Sequence, residues 1–255
     1  MKLNYKHFGS GSPIIILHGL FGSLDNWVSI AKKLSTSYEV FIVDARNHGQ
    51  SPKSEEFNYD VMADDLYAFL LDHQIVDPII LGHSMGGKTA MQFAMNYPNK
   101  IEKLIVVDIA PKSYPVHHRE IIDGMLSLNF NIIKTRNEAD QKLSIHIPEL
   151  AVRQFLLKNL YWETKERLAW RFNLPVIDKN IEKVGVTLNN LSPFYKPTLF
   201  IRGEISNYIT FEDYDNIKKI FINAKIESLK CGHWVHAEKP FEFEQLLIDF
   251  LESKD

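Results

Sequence analysis

A serine flanked by glycines, lying between an apolar run and a helix-period segment, is the feature that most constrains the fold. The sequence GHSMG at residues 82–86 directly follows the apolar residues 78–81. Glycines leave room for the backbone where a strand turns sharply into a helix, and such a turn holds the serine hydroxyl exposed at the end of the strand. Ser84 is therefore predicted to be a nucleophile; the alternative is a buried capping serine.

Six short apolar runs alternate with helix-period segments along the chain. They are apolar on both faces, which is typical of parallel strands covered by helices on both sides. Sheets of this kind carry their functional sites at the carboxyl ends of the strands. The pattern predicts an α/β fold with a mostly parallel sheet, whose strands are residues 13–17, 38–43, 78–81, 101–107, 198–201 and 225–229.

Strand-like runs are missing between Pro111 and about Ser192, where helical patches rich in Leu, Phe, Trp and Tyr replace them. We therefore predict a core formed by residues 1–111 and 193–255, with a helical cap (lid) at residues 112–192 inserted between two core strands. An apolar face of such a cap over the sheet edge lines a substrate pocket. The predicted substrate-binding residues are Phe21, Met125, Phe130 and Trp234.

The loop HGLFG at residues 18–22, after the first of these strands, is predicted to contribute to an oxyanion hole. A tetrahedral intermediate needs two backbone N–H donors aimed at its oxygen. Met85, which follows the nucleophile, supplies one; Leu20 is the predicted second donor, with Phe21 as the alternative. His18 is predicted to be a structural, hydrogen-bonding residue beneath the site.

A histidine in the loop after the last predicted strand is the expected general base. The chain order of nucleophile, acid and histidine in this kind of fold places the base at residues 231–236, CGHWVH. His233, directly after Gly232, is the predicted base, and His236 is the alternative, more readily explained as a satisfied structural histidine. His48, in the polar loop at residues 44–51, is predicted to be scaffolding.

Composition excludes several classes of function. The net charge of −3, from 29 basic and 32 acidic residues, gives no reason to expect nucleic acid or an anionic membrane as a partner. Cys231 is the only cysteine, so no intrachain disulfide can form, and the first nine residues lack a signal-peptide pattern. We expect a cytoplasmic protein with no metal and no cofactor; the adjacent pair His117 and His118 lacks supporting carboxylates. The oligomeric state stays open.

Five segments together resemble YbfF-type esterases, a bacterial branch of the α/β-hydrolase superfamily; they are residues 18–27, 44–52, 82–88, 107–111 and 232–240. The resemblance covers both portions of the core, whereas the cap resembles the family only loosely. It implies the α/β-hydrolase fold and the hydrolysis of short acyl esters or acyl-CoA thioesters.

The acid departs from the usual pattern of the superfamily. In most members it follows the strand predicted here at residues 198–201, where this chain has Asn207 in place of an aspartate. An amide can accept a hydrogen bond but cannot neutralise an imidazolium. Asp108 ends the preceding strand, and the YbfF-type resemblance implies an acid there. Asp108 is the predicted acid, with Glu204 as the alternative and a loop-capping aspartate as the non-catalytic interpretation.

These residues predict a serine carboxylic-ester hydrolase that forms an acyl-enzyme with a small-molecule ester or thioester. A carbon–carbon hydrolase or a lyase of menaquinone synthesis on the same triad is the alternative. Such enzymes bind anionic substrates with several arginines, and the inserted segment contains Arg119, Arg153, Arg167 and Arg171. A non-catalytic ligand receptor that keeps the fold is the third candidate.

Overall fold

A computed structural model describes residues 1–115 and 118–253. In these residues the chain forms nine strands, which are β1 (Tyr5–Phe8), β2 (Ser12–Leu17), β3 (Tyr38–Val43), β4 (Ile79–His83), β5 (Lys103–Val107), β6 (Leu160–Thr164), β7 (Arg167–Trp170), β8 (Thr198–Gly203) and β9 (Ala224–Leu229).

The same residues form eleven α-helices. They are α1 (Val28–Leu34), α2 (Tyr59–Asp72), α3 (Met85–Asn96), α4 (Arg119–Leu126), α5 (Arg136–Leu143), α6 (Leu150–Leu157), α7 (Leu174–Lys179), α8 (Ile181–Gly185), α9 (Tyr214–Ile220), α10 (Val235–Glu238) and α11 (Pro240–Glu252).

Seven strands form one sheet in the order β1-β3-β2-β4-β5-β8-β9. Only the pairing of β1 with β3 is antiparallel, and every other pair in this sheet is parallel. The predicted mostly parallel sheet is thereby confirmed. Strand β1 was not predicted because it is an edge strand with three exposed side chains and therefore has no apolar run.

The central strands bury side chains on both faces of the sheet. In β2, Ile15 and Leu17 belong to the apolar core under α2 and α3, whereas Ile14 and Ile16 belong to the core under α1 and α11. Side chains of a strand alternate between the two faces, so a strand covered on both sides must be apolar at every position. This requirement explains why the central strands could be recognised in the sequence.

The register of the sheet brings the ends of four strands together. Leu17 of β2 pairs with Gly82 of β4. His83 of β4 pairs with Val107 of β5, which in turn pairs with Ile201 of β8. The residues that follow these ends, including the loop at residues 18–22, Ser84 and Asp108, therefore meet at the carboxyl edge of the sheet.

The segment between β5 and β8 contains α4 to α8, in agreement with its predicted helical character. The prediction that it lacks strands is wrong, because β6 and β7 form an antiparallel hairpin there. Each strand has only four or five residues, and their aromatic side chains fit a helical spacing equally well. Trp170 of β7 stacks on Phe172 at a ring-centroid distance of 5.1 Å, which packs the hairpin into the segment.

Candidate active site

Ser84 occupies a strained turn between β4 and α3. Its φ angle is +54°, which is uncommon for any residue other than glycine. The flanking glycines make the turn possible: a Cβ atom on Gly82 would lie 2.1 Å from the carbonyl oxygen of Gly86, and one on Gly86 would lie 2.4 Å from that of Leu17. Ser84 is partly exposed while its neighbours on both sides are buried. The turn thus presents the hydroxyl at the carboxyl edge of the sheet.

Two backbone N–H groups beside Ser84 lack an acceptor within residues 1–115 and 118–253. Met85 is the first residue of α3, where a helix provides no acceptor, and Leu20 makes none of the hydrogen bonds of its loop. This loop lies against the nucleophile, because a Cβ atom on Gly19 would be 3.3 Å from the Cβ atom of Ser84. Both predicted oxyanion donors are therefore next to the serine.

Phe21, the alternative donor, already uses its N–H group. It donates to Nε2 of His48 at 3.2 Å, and Nδ1 of His48 donates to the carbonyl oxygen of Arg46 at 3.0 Å. His18 is likewise bonded to backbone atoms through both ring nitrogens. Burial lowers the pKa of both histidines, that of His48 to about 3. The two rings are neutral scaffolding for the loop, which leaves Leu20 as the available donor.

Asp108 and His233 are joined by a hydrogen bond. Asp108 follows β5, is 0% exposed, and accepts from Nδ1 of His233 through Oδ2 at 2.8 Å. The same carboxylate accepts from the N–H group of Gly203 at 2.9 Å and from Oγ of Ser206 at 2.5 Å. These donors replace the water that a buried carboxylate loses. Because Nδ1 carries the proton given to Asp108, Nε2 of His233 is the basic nitrogen.

Ser206, Tyr208 and His83 support this pair, yet no sequence motif marks them for that role. The Tyr208 ring stacks on His233 at 4.0 Å, and its N–H group donates to Oγ of Ser206 at 3.2 Å. Nε2 of His83 donates to the carbonyl oxygen of His233 at 2.9 Å. Ser206 and Asp108 are 98 residues apart, so only the fold shows that they meet.

Within residues 1–115 and 118–253, the alternative acids and the alternative base form no hydrogen bond with this pair. Glu204 and Asn207 are exposed, and neither forms a hydrogen bond to His233 within the described part of the chain. His236 stacks on Trp27 at a centroid distance of 4.1 Å, and burial lowers its pKa to about 3. Its Nδ1 atom has no hydrogen-bond partner among the described residues, so the expectation of a structural histidine with its hydrogen bonds satisfied is wrong.

Ser84 and His233 lie in the wall of one cavity, which we call the large cleft. Among the described side chains, no hydrogen bond joins the serine hydroxyl to the imidazole. Bonds of this kind are often long without substrate and tighten in the complex. The large cleft has a volume of about 550 Å³, and its wall includes Phe21 and Trp234, two of the predicted substrate-binding residues.

Met125 and Phe130, the other two predicted substrate-binding residues, are not in the wall of the large cleft. Met125 is 1% exposed inside the inserted segment, and Phe130 packs edge-on against Trp170 at 5.9 Å. Their assignment is wrong because apolar residues of the inserted segment face both the cleft and the interior of the segment, and spacing alone does not separate the two. The inserted residues that do line the cleft include Ile121, Val152 and Phe155.

Within residues 1–115 and 118–253, no three His, Cys, Asp or Glu side chains are close enough together to hold a metal ion. His117, one of the adjacent histidines, lies outside the described residues. No helix in those same two ranges is both long and apolar enough to cross a membrane.

Comparison with known proteins places the chain in a family. Residues 12–240 match the family model described as alpha/beta hydrolase fold. The sn-1-specific diacylglycerol lipase ABHD11 of Danio rerio is 39% identical over 264 residues, which cover 99% of this chain and 83% of that protein. Esterase YbfF of Escherichia coli (strain K12) is 38% identical over 248 residues, covering 94% of this chain and 95% of the esterase.

A solved structure described as a marine microorganism esterase superposes with a TM-score of 0.95 at 41% identity, covering 98% of this chain and 99% of the other. Fold and sequence together define the class: the chain belongs to the alpha/beta hydrolase fold family and is a carboxylic-ester hydrolase. Within that family it is a YbfF-type esterase, which confirms the resemblance seen in the motifs.

Proposed function

We propose that the chain hydrolyses small carboxylic esters through an acyl-enzyme on Ser84, with His233 as the general base and Asp108 as the acid. The observation that carries the proposal is the 2.8 Å hydrogen bond between Nδ1 of His233, which lines the same cleft as Ser84, and Oδ2 of the buried Asp108. An imidazole oriented in this way by a carboxylate can take the proton of a serine hydroxyl.

In acylation, Oγ of Ser84 attacks the ester carbonyl carbon while Nε2 of His233 takes the hydroxyl proton. The carbonyl oxygen becomes an oxyanion and accepts hydrogen bonds from the N–H groups of Leu20 and Met85. When the tetrahedral intermediate collapses, the bond to the leaving-group oxygen breaks and His233 gives its proton to that oxygen. Asp108 stabilises the imidazolium throughout and is not itself protonated.

Deacylation repeats these steps with water. His233 takes a proton from the water molecule, whose oxygen attacks the acyl carbon on Ser84. Collapse of the second intermediate breaks the bond to Oγ, and His233 returns the proton to the serine. A thioester follows the same course with sulfur as the leaving atom, so the proposal includes thioesters.

We also propose that residues 112–192 act as a cap over the core. Ile121, Val152 and Phe155 from this segment line the large cleft together with Ser84 and Trp234, and the Phe155 ring contacts that of Trp234 at a centroid distance of 5.6 Å. Closure of an apolar cap over the nucleophile excludes water from the first intermediate. A location in the cytoplasm stays a prediction of the sequence.

The carbon–carbon hydrolase and lyase alternatives call for several arginines around an anionic substrate. Among the described residues that line the cavities at Ser84 there is no arginine. Arg119 pairs with Asp178 at 2.6 Å, and Arg153 pairs with Asp140 at 2.8 Å. These arginines hold the inserted segment together, so the neutral ester is the better-supported substrate. The intact nucleophile, base and acid argue against a non-catalytic receptor.

The test compares Ser84→Ala with the wild type in the hydrolysis of p-nitrophenyl acetate. We expect kcat to fall on the order of 10⁶, because members of such a triad act as a unit. The matched control is Ser10→Ala, an exposed serine before β2 at the opposite edge of the sheet, which should keep wild-type activity. A folded Ser84→Ala protein with more than a tenth of wild-type kcat would contradict the proposal.

A further inference from the structure

Lys88 is a buried lysine that the proposed mechanism does not use. It is the last residue of the motif at residues 82–88, lies on α3 one turn after Ser84, and is 1% exposed. The described residues that line the cavities at Ser84 do not include it, so it is not placed to bind substrate. Burying a charged group costs free energy unless it is paired and hydrogen-bonded. The lysine must therefore have its partners elsewhere in the fold.

The partners of Lys88 are backbone carbonyl groups. Its Nζ atom donates to the carbonyl oxygen of Gly185 at 3.3 Å and also to that of Val186. Burial lowers the pKa of Lys88 to about 7, and no carboxylate of the described residues opposes this effect. A neutral amine still has two N–H groups, one for each carbonyl oxygen. Both hydrogen bonds are therefore available in either protonation state.

These carbonyl groups lie where the inserted segment returns to the core. Gly185 is the last residue of α8, and the final carbonyl groups of a helix have no partner inside it. The outgoing part of the same segment lies alongside. The Tyr114 N–H group donates to the carbonyl oxygen of Gly185 at 2.7 Å, and the Thr187 N–H group donates to Oγ of Ser113 at 3.1 Å. The two connections between the inserted segment and the core are thus bonded to each other.

We define the cap junction as these two connections, residues 111–114 and 185–187. Lys88 bonds the returning connection through its two carbonyl groups, and its Nζ atom lies 4.8 Å from the ring centroid of Tyr114 in the outgoing connection. A cation over the face of an aromatic ring is attracted by it. One side chain on the helix that begins beside the nucleophile therefore contacts both connections.

A second buried lysine has the same kind of partners far from the cap junction. Lys103, the first residue of β5, is 6% exposed and donates to the carbonyl oxygens of Phe250, Leu251 and Ser253 at 2.9–3.2 Å. It joins the end of α11 to the edge of the sheet opposite the candidate active site. Lys103 is therefore a matched control for Lys88, because it is also a buried lysine bonded to the end of a helix.

We propose that Lys88 is a positioning residue that fixes the cap over the large cleft by holding the cap junction to α3. The proposal rests on the proposed function, in which residues 112–192 cover Ser84. Inserted side chains such as Phe155 line the large cleft, so a loosened junction moves part of its wall away from the substrate. Contacts of this kind act on the bound ester and on the transition state alike, and their loss raises KM more than it lowers kcat.

The first experiment measures amide hydrogen exchange in Lys88→Met, which keeps the length of the side chain but removes its donors. Peptides that contain Tyr114 and Thr187 should exchange at least about tenfold faster than in the wild type, because a hydrogen bond from a charged group contributes that much to local stability. Lys103→Met should lower the urea midpoint and leave exchange at the cap junction unchanged. Wild-type exchange there in Lys88→Met, or equal acceleration in Lys103→Met, would overturn the proposal.

The second experiment is steady-state hydrolysis of p-nitrophenyl hexanoate by the same two variants. In Lys88→Met, KM should rise about tenfold while kcat stays within about threefold of the wild type. Lys103→Met should keep both constants. A fall in kcat with an unchanged KM would place the effect of Lys88 at the acid and base and would contradict a role in holding the cap.

Tyr59→Phe is a milder variant that decides the question should Lys88→Met not fold. The Tyr59 hydroxyl donates to the carbonyl oxygen of Val184 at 2.7 Å, directly before the two carbonyl groups that Lys88 binds. Its removal should speed exchange at Thr187 by roughly threefold, the effect of one neutral hydrogen bond. Unchanged exchange in this variant would then overturn the proposal.

The Ser84→Ala protein separates this proposal from the proposed function. Hydrolysis by Ser84→Ala would contradict the proposed mechanism and would leave the exchange result at the cap junction unaffected, because exchange is measured without substrate. If hydrolysis depends on Ser84 but Lys88→Met matches the wild type in both exchange and KM, only the role of Lys88 fails.

Discussion

Replacing Asp108 by asparagine removes the charge of the acid and reverses one of its hydrogen bonds while keeping its size. The carboxylate accepts from His233, Gly203 and Ser206 and donates to none of them. An amide has one acceptor oxygen and one NH₂ group, so one of these donors must face another donor. If the NH₂ group faces His233, its Nδ1 must lose the proton, and Nε2 then carries it and cannot take a proton from Ser84.

The expected loss in kcat is on the order of 10²–10⁴, the upper value being that of the same change in a serine protease. This corresponds to about 2.7–5.5 kcal/mol of transition-state stabilisation. The change at a fully buried site should also lower the free energy of unfolding by about 1–3 kcal/mol, the cost of an unsatisfied buried group.

The assay is steady-state hydrolysis of p-nitrophenyl acetate, with circular dichroism and urea unfolding to show that the variant is folded. Glu204→Gln is the matched control, because Glu204 is the exposed carboxylate closest in sequence to the usual acid position and forms no hydrogen bond with His233 in the described chain. It should keep nearly all activity. A nearly neutral Asp108→Asn, or an equal loss in Glu204→Gln, would refute the assignment of the acid.

Two further predictions concern the surroundings of the acid and base. Ser206→Ala should lower kcat about tenfold with little change in KM, because the Ser206 hydroxyl donates to Asp108 and lies outside the cavities at Ser84. Ser206→Thr, which keeps the hydroxyl, should restore activity. A loss in Ser206→Ala as large as that in Asp108→Asn would argue against a positioning role. The pKa of His236 is about 3 in the folded protein and 6.5, the ordinary value, in the unfolded chain. Between these pH values the unfolded chain binds one proton more than the folded protein. The free energy of unfolding therefore falls as pH drops below about 6.5, by up to about 1.4 kcal/mol per pH unit. His236→Phe keeps a ring against Trp27 without this titration. Urea unfolding at pH 7 and pH 5 should therefore show a smaller loss in the variant, and equal losses would contradict the stated pKa.

The inserted segment shows where sequence patterns stop being informative. Apolar spacing did not predict the hairpin of β6 and β7, and it assigned Met125 to the substrate pocket although the side chain is buried inside the segment. Spacing shows that a helix has an apolar face but not what that face meets. In a segment packed against itself and against a cleft, both surfaces are apolar, and only the tertiary packing assigns each side chain to one of them.

The sequence by itself determined the local turn at Ser84, the buried parallel strands and the family. These features depend on neighbouring residues: a glycine two positions away relieves a backbone clash, and a strand covered on both faces must be apolar throughout. Only the tertiary structure decided which carboxylate bonds His233, that His48 engages the N–H group of Phe21, and that Ser206 supports Asp108. The partners in these contacts are 27 to 125 residues apart. Their meeting depends on the register of β4, β5 and β8 and on the conformation of the loops that follow, which no local pattern encodes.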